Sequence, residues 1–244
     1  FISISSQENI KYQKPSKEIL DLVEFERPPS ILYDENKNFM LFLFRDNYKS
    51  IAELSAKELR LGGLRIDPKT NIGSRVTYYN NVKIRNLKNQ KSEITQVKGL
   101  PKNPKLSNIS WSPDQKRIAL TNTTETGVEL WVLELENGSV TKLTEPNLNS
   151  NIGSVINWFS DSENMLVKMI SNNRRPLIDT NKIVPDGPTI STNFGEKAQN
   201  RTYQDLLKNK FDEHNFEQLS TSTIYKVSID GSVKKWMDDG MYRT

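Results

Sequence analysis

The sequence has no cysteine, which excludes disulfides, zinc–thiolate centres and a cysteine nucleophile. It has one histidine, His214, and a lone histidine with scattered carboxylates does not make a transition-metal site. None of its 11 glycines falls in a Gly-x-Ser-x-Gly pattern, so the nucleophile elbow of a serine hydrolase is missing. Long apolar runs are missing too. No stretch approaches the roughly 18 residues of a membrane span, and no membrane association is expected. The opening Phe1-Ile-Ser-Ile-Ser-Ser has neither a basic region nor a full apolar core, so no signal peptide is visible. The compartment stays open, leaning towards a secreted or periplasmic setting. Charge of one sign is also scarce. The 34 basic and 30 acidic side chains leave a net +4 with no dense Lys/Arg block, so nucleic acid is not an expected partner.

What is present is a repeat. Ile109-Ser-Trp-Ser-Pro-Asp-Gln-Lys-Arg-Ile-Ala-Leu120 returns as Ile156-Asn-Trp-Phe-Ser-Asp-Ser-Glu-Asn-Met-Leu-Val167. In both, an apolar strand ends at Trp, Asp follows three residues later in a polar turn, and a second apolar strand begins. Trp111 and Trp158 are 47 residues apart, as are Asp114 and Asp161. A weaker copy lies at Ser30-Ile-Leu-Tyr-Asp-Glu-Asn-Lys-Asn-Phe-Met-Leu41. A strand hairpin recurring at roughly 40–50 residues is the mark of propeller blades. The expected fold is therefore all-β: a partial propeller arc of about three to four blades.

Along the chain, residues 1–29 read as a leader that packs on the propeller. Ile19, Leu20, Leu22 and Val23 lie at helical spacing and Ser16 is a suitable N-cap. Residues 30–244 read as the incomplete propeller, with units at about 30–75, 76–104, 105–146 and 152–236. Phe39-Met-Leu-Phe-Leu-Phe44 suits a strand covered on both sides. The 105–146 unit is the clearest, closing with the hairpin signal Asn137-Gly138, where both residues accept positive φ. Asp230-Gly231 takes that place in the last unit. That unit is split by a mostly irregular and helical insertion at about 171–222, where Thr202-Tyr-Gln-Asp205 resembles a capping box and Asp212 can cap a further turn.

Candidate chemistry is thin, and no catalytic, cofactor-binding or metal-binding residue is expected in the chain, nor any cofactor. His214, within Asp212-Glu-His-Asn215, has no nucleophile or orienting group assigned to it and reads as solvated. Asp34-Glu35 and Asp238-Asp239 read as solvated turns in place of a calcium loop. Gly62-Gly63 lacks the spacing and Lys of a phosphate loop and reads as a β-bulge. Trp111, Trp131, Trp158 and Trp236 lie in alternating strands and are expected between blades. Arg60, Arg65, Arg174, Arg175 and Arg201 are able to hold an acidic ligand, though rim charges are the plainer reading.

Three segments carry a resemblance: Tyr12-Gln-Lys-Pro-Ser-Lys-Glu-Ile-Leu-Asp-Leu-Val23, Glu58-Leu-Arg-Leu-Gly-Gly-Leu-Arg-Ile-Asp-Pro-Lys-Thr-Asn71, and Gly187-Pro-Thr-Ile with Arg201-Thr-Tyr-Gln-Asp-Leu-Leu-Lys208 and Asp212-Glu. They resemble the N-terminal propeller region of the prolyl oligopeptidase family, in its glutamyl endopeptidase-like branch. The resemblance implies a propeller that gates and positions peptides for an α/β-hydrolase domain, absent from this chain, that carries Ser, Asp and His. Peptide would then be met through the intact protein, with the chain alone inert. The other reading is a non-catalytic scaffold binding a protein or peptide. Three to four blades do not close a ring of four to eight. The chain is thus expected to be an arc ending at Thr244 where a further blade would start, with open ends that favour self-association.

Overall fold

In the middle of the chain, two strands are buried at nearly every position. β9 (Arg117–Thr123) and β10 (Val128–Glu134) are buried on both faces. Alternation then divides their side chains between two cores. Ile118, Leu120 and Leu133 face one side, and Ala119, Leu130 and Val132 face the other. A computed structural model of the chain shows what lies on each side. It describes residues 13–89, 91–179 and 203–243, with 182–184, 187, 190, 192 and 194–196.

Three four-stranded antiparallel sheets follow one another. The first joins β1 (Ser30–Tyr33), β2 (Phe39–Phe44), β6 (Asn81–Asn86) and β7 (Thr95–Gln96). The second joins β8 (Leu106–Trp111), β9, β10 and β11 (Ser139–Lys142), and the third β12 (Ile156–Trp158), β13 (Asn164–Ile170), β14 (Ser222–Ser228) and β15 (Val233–Gly240). Phe39, Leu41, Leu43, Val82 and Ile84 of the first sheet pack on the second. Met165, Val167, Met169 and Val227 of the third pack on its other face. Each such fully buried side chain contributes about 1.5–3 kcal/mol. The middle sheet is thus sandwiched, as in a row of propeller blades, and the fold is a partial propeller arc.

The three hairpin turns share one geometry. Lys37, Gln115 and Ser162 take the left-handed conformation, with φ of 55°, 60° and 59°. Phe39 N donates to Asp34 Oδ1 at 2.6 Å, and Arg117 N donates to Ser112 Oγ at 3.0 Å. Neighbouring turns are joined as well. Glu35 N donates to Gln115 Oε1 at 3.2 Å, and Asp114 N donates to Ser162 Oγ at 3.0 Å. Trp158 Nε1 reaches Ser110 O at 3.2 Å, a bond between the third and second sheets. The Trp–Asp motif is structural glue between blades.

The boundary expected at 75/76 does not exist. The units at 30–75 and 76–104 are one blade, because β2 pairs with β6 along six residues, from Phe39↔Asn86 to Phe44↔Asn81. Among the described residues the blades number three. The intervening residues form α2 (Ile51–Leu54) and a separate sheet of β3 (Leu59–Leu61), β4 (Leu64–Asp67) and β5 (Ile72–Gly73). Gly62-Gly63 is no bulge. With φ of +57° and +82°, the pair is the two-residue turn that sets Leu61 against Leu64. At Asn137-Gly138 only Gly138 takes positive φ, while Asn137 Oδ1 accepts from Ser139 N at 3.0 Å.

The leader helix α1 (Lys17–Val23) forms, but it buries no residue and Ser16 makes no capping bond through its side chain. The segment after it is held instead, Asn47 Nδ2 donating to Phe25 O at 2.5 Å. In the insertion, Thr202 lies outside the described residues. Helix α3 (Lys210–Ser220) is capped by Asn209, which accepts from Phe211 N and Asp212 N, while Asp212 accepts from Lys208 N at 3.0 Å. Trp236 also departs from expectation. It is 53% exposed and meets Phe159 edge-on, ring centroids 5.8 Å apart. Trp111, Trp131 and Trp158 pack against the cores between sheets.

Candidate functional site

In an antiparallel four-strand blade, the connection between second and third strands leaves from the end opposite the hairpin turns. Two blades here carry long connections at that end. The one from β2 to β6 holds β3–β5, and the one from β13 to β14 holds α3. They pack on each other. Leu61, Ile66 and Leu219 are buried together, with Leu64, Leu177, Leu207 and Phe216 against them. The turn at Gly62 fits because it has no side chain: a Cβ there would stand 2.9 Å from the Phe216 ring. Asp205, at φ 58°, accepts from Gly63 N at 3.1 Å through its carbonyl and pairs with Arg65 at 3.1 Å through its carboxylate.

Amides complete the junction. Asn71 Nδ2 donates to Asn149 Oδ1 at 2.7 Å, and Asn149 and Asn151 donate to Leu219 O at 2.9 and 2.7 Å. Arg174 Nη1 donates to Asn71 Oδ1 at 3.2 Å, and its burial pulls its pKa down. Ile72 inserts among core residues of the second and third sheets. The two connections therefore form one cap, seated above the middle blade.

Between this cap and the middle sheet lies a cleft of about 1230 Å³. Thr70, Tyr78, Thr123 and Trp131 are its less exposed walls. The hydroxyls of Thr70 and Thr123, on residues 5% and 8% exposed, have no hydrogen-bond partner. The Tyr78 phenol faces Thr123 without closing a hydrogen bond to it, and burial raises the phenol's pKa.

Most acids lining the cleft are already engaged. Glu53 accepts from Ser50 N at 3.0 Å in a capping box and pairs with Lys105 at 3.2 Å, and the Ser50 amide above all holds it below the usual carboxylate range. Glu58 accepts from the Ser74 hydroxyl and pairs with Arg60 at 2.8 Å and Arg65 at 3.6 Å; the Ser74 bond is the main cause of its lowered pKa. Glu129 meets Lys142 at 3.6 Å and accepts from Trp131 Nε1 at 2.9 Å. Lys69, Arg75 and Lys102 also line the cleft, are exposed, and make no ion pair among the described residues. Lys49 Nζ donates to a carbonyl, Ser74 O, at 3.2 Å.

Of the arginines singled out in the sequence, Arg60 and Arg65 line this cleft but are paired, Arg174 is tied into the cap, and Arg175 pairs with Glu217 at 3.6 Å. Arg201 lies outside the described residues. His214 contacts Pro176 O at 3.0 Å through Nε2 and touches no serine or threonine hydroxyl in any described bond. Asp239 is a structural acceptor for Ser171 Oγ, Thr223 Oγ1 and Asn173 Nδ2. The uncommitted cations and the two hydroxyls were not singled out by the sequence, because they come from segments far apart along the chain. No local signal gathers them, the basic residues being spread along the chain. The arrangement can hold and orient a ligand; it assembles no nucleophile with a base.

No known family's sequence profile matches the chain. It is 30% identical over 240 residues to the probable glutamyl endopeptidase, chloroplastic, of Arabidopsis thaliana, a match covering 92% of this chain and 24% of that protein. The probable glutamyl endopeptidase, chloroplastic, of Oryza sativa subsp. japonica is 29% identical over 235 residues, covering 91% and 25%. The chain therefore spans about a quarter of the length of these relatives. Among solved structures, a Pyrococcus horikoshii acylaminoacyl peptidase aligns with 88% of this chain and 26% of its own at 19% identity, TM-score 0.39. The β-propeller domain of the Trilobed protease from Pyrococcus furiosus aligns with 88% and 59% at 14% identity, TM-score 0.32. By sequence the chain is thus a relative of about one quarter of the length of the glutamyl endopeptidases.

Proposed function

We propose that this chain is the propeller portion of a serine peptidase, which gates and positions peptides for a hydrolase domain of the same protein and is inert alone. The observation that carries the reading is the match of nearly the whole chain to one quarter of the glutamyl endopeptidases. Two features support it. The sequence holds no Gly-x-Ser-x-Gly elbow, and its histidine is bonded to a backbone carbonyl. The cap over the middle blade supplies a walled, polar entrance suited to sorting peptides by charge and width, which is what a gate requires.

A peptidase assay with Glu-containing peptides, run on the 244-residue chain and on the intact encoded protein, tests the proposal. The intact protein is expected to cleave and to be labelled by a fluorophosphonate, while the chain does neither. Cleavage by the chain itself, or an intact protein without a reactive serine, overturns it.

A further inference from the structure

The hairpin between β10 and β11 turns on the only Asn-Gly dipeptide in the sequence, Asn137-Gly138. With glycine next in the chain, no side chain shields the asparagine amide carbon from the following main-chain nitrogen. The turn adds two features at that carbon. Asn137 Oδ1 accepts from Ser139 N at 3.0 Å and from Ser139 Oγ at 2.6 Å. These donors polarise the side-chain carbonyl and face the oxygen on which negative charge develops during attack, as in an oxyanion hole. Asn137 is exposed, and its Nδ2 donates in no hydrogen bond among the described residues, so nothing retains the leaving nitrogen.

We propose that Asn137 is a site of spontaneous deamidation, a covalent change at the seam between the first and second blades that does not depend on any peptidase role. Gly138 N gives its proton to hydroxide and bonds to Asn137 Cγ. The Cγ–Nδ2 bond breaks, the nitrogen leaves as ammonia with a proton from water, which restores the hydroxide, and a succinimide ring remains. Water then reopens the ring. Addition at Cγ yields an aspartyl residue, and addition at the main-chain carbonyl yields an isoaspartyl residue whose chain runs through Cγ. Nothing is oxidised or reduced. The brake is the Gly138 N–H, which donates to Glu134 O at 3.0 Å and must let go first. At the tip of a hairpin that release needs only local opening.

The turn is tied to the first blade. Gly138 O accepts from Lys98 N at 2.8 Å, Val140 N donates to Lys98 O at 3.0 Å, and a Cβ on Gly138 would stand 3.1 Å from Ile84 Cδ1. An isoaspartyl residue adds a carbon to the main chain and pulls Gly138 O away from Lys98. Two matched positions define the selectivity. At Asp230-Gly231 the turn is repeated, Gly231 N donating to Ser228 O at 3.0 Å and Asp230 Oδ1 accepting from Ser232 N at 2.8 Å. Its side chain is a carboxylate, held below the usual range by the Ser232 amide, and an anion is a poor target for attack. At Asn149-Ser150 the amide is buried, and its Nδ2 donates to Leu219 O and Thr221 O at 2.9 and 3.0 Å.

Peptide mapping by mass spectrometry of the 244-residue chain aged at mildly alkaline pH, with isoaspartyl methyltransferase labelling of the same peptides, tests this. Asn137 is expected to convert before any other asparagine, and Asp230 to stay unlabelled. Ser139→Ala removes the Oγ donor and is expected to slow conversion about tenfold in the folded chain. In guanidinium chloride, where the turn is gone, native and variant chains are expected to age alike. Asn137→Asp supplies the ordinary product and is expected to keep the native Tm. The isoaspartyl fraction is expected to lose hydrogen-exchange protection at Lys98 and Val140. Faster conversion of another asparagine, a folded Ser139→Ala chain that ages at the native rate, or an isoaspartyl fraction with that protection intact each overturns the proposal.

Discussion

A lysine ammonium inside a sheet must find oxygen atoms or give up its proton. Lys168 is 2% exposed on β13 and donates to Ile152 O, with Tyr242 O at 3.5 Å. Both acceptors are neutral carbonyls, so nothing offsets the loss of water, and burial pushes its pKa down to about 8. In the unfolded chain the group titrates near 10.4. Between these values the unfolded state binds the proton and the folded state does not, so stability rises with pH across that window and flattens below about 8. Urea midpoints measured on both sides of that window are expected to rise with pH in the native chain. Lys168→Met is expected to abolish the rise. Adjacent glycines make a second contrast at this scale. Gly62→Ala and Gly63→Ala both force an L side chain into positive φ, costing about 1–2 kcal/mol. Only the first also meets Phe216, at 2.9 Å, since nothing lies within 4 Å of Gly63. Chemical denaturation is expected to rank Gly62→Ala as the more damaging.

Elements were legible in the sequence where their partners are neighbours in the chain. β8 to β11 could be read directly because each strand pairs with the next through a short turn, and period-2 patterning suffices for that. The first blade could not be read in this way. β2 pairs with β6 across an excursion containing α2 and three further strands, and alternation tells which face a residue takes, never which distant strand it pairs with. The turn at 62–63 shows the same limit, since its glycines acquire their meaning from β3 and β4 flanking them and from Phe216 across the cap. The cleft was the least legible feature. The hydroxyls of Thr70 and Thr123 are noteworthy only once both are seen buried without partners. The cap is expected to behave as its own unit of stability. Phe216→Ala, in a partly buried site, should cost up to about 3 kcal/mol. It should strip hydrogen-exchange protection from Leu61 and Ile66 while Leu130 and Leu133 keep theirs.

At the scale of the molecule, the first and third sheets each turn one apolar side away from the middle blade. Ile31 and Tyr33 are 44% and 53% exposed on β1, and Trp236 and Met237 are 53% and 45% exposed on β15. Such surfaces resemble the faces already joined between sheets, and in a propeller they meet another blade. The isolated chain is therefore expected to self-associate with rising concentration. In sedimentation velocity, Trp236→Glu combined with Ile31→Glu should shift the boundary towards monomer, and an unchanged boundary would count against these faces.

The cap bears on those open faces from a distance. It ties the first blade to the third over the top of the second, through Arg65 and Asp205, Gly62 and Phe216, and Asn71 and Asn149. A chord drawn across an arch fixes the arch's curvature. The angle between the two outer sheets is then set at the rim by the apolar cluster around Leu219 and by these polar bonds, in addition to the seams beneath. Whatever docks on either end meets a wedge of predetermined opening, and the number of blades that can complete the circle is decided before any of them arrives.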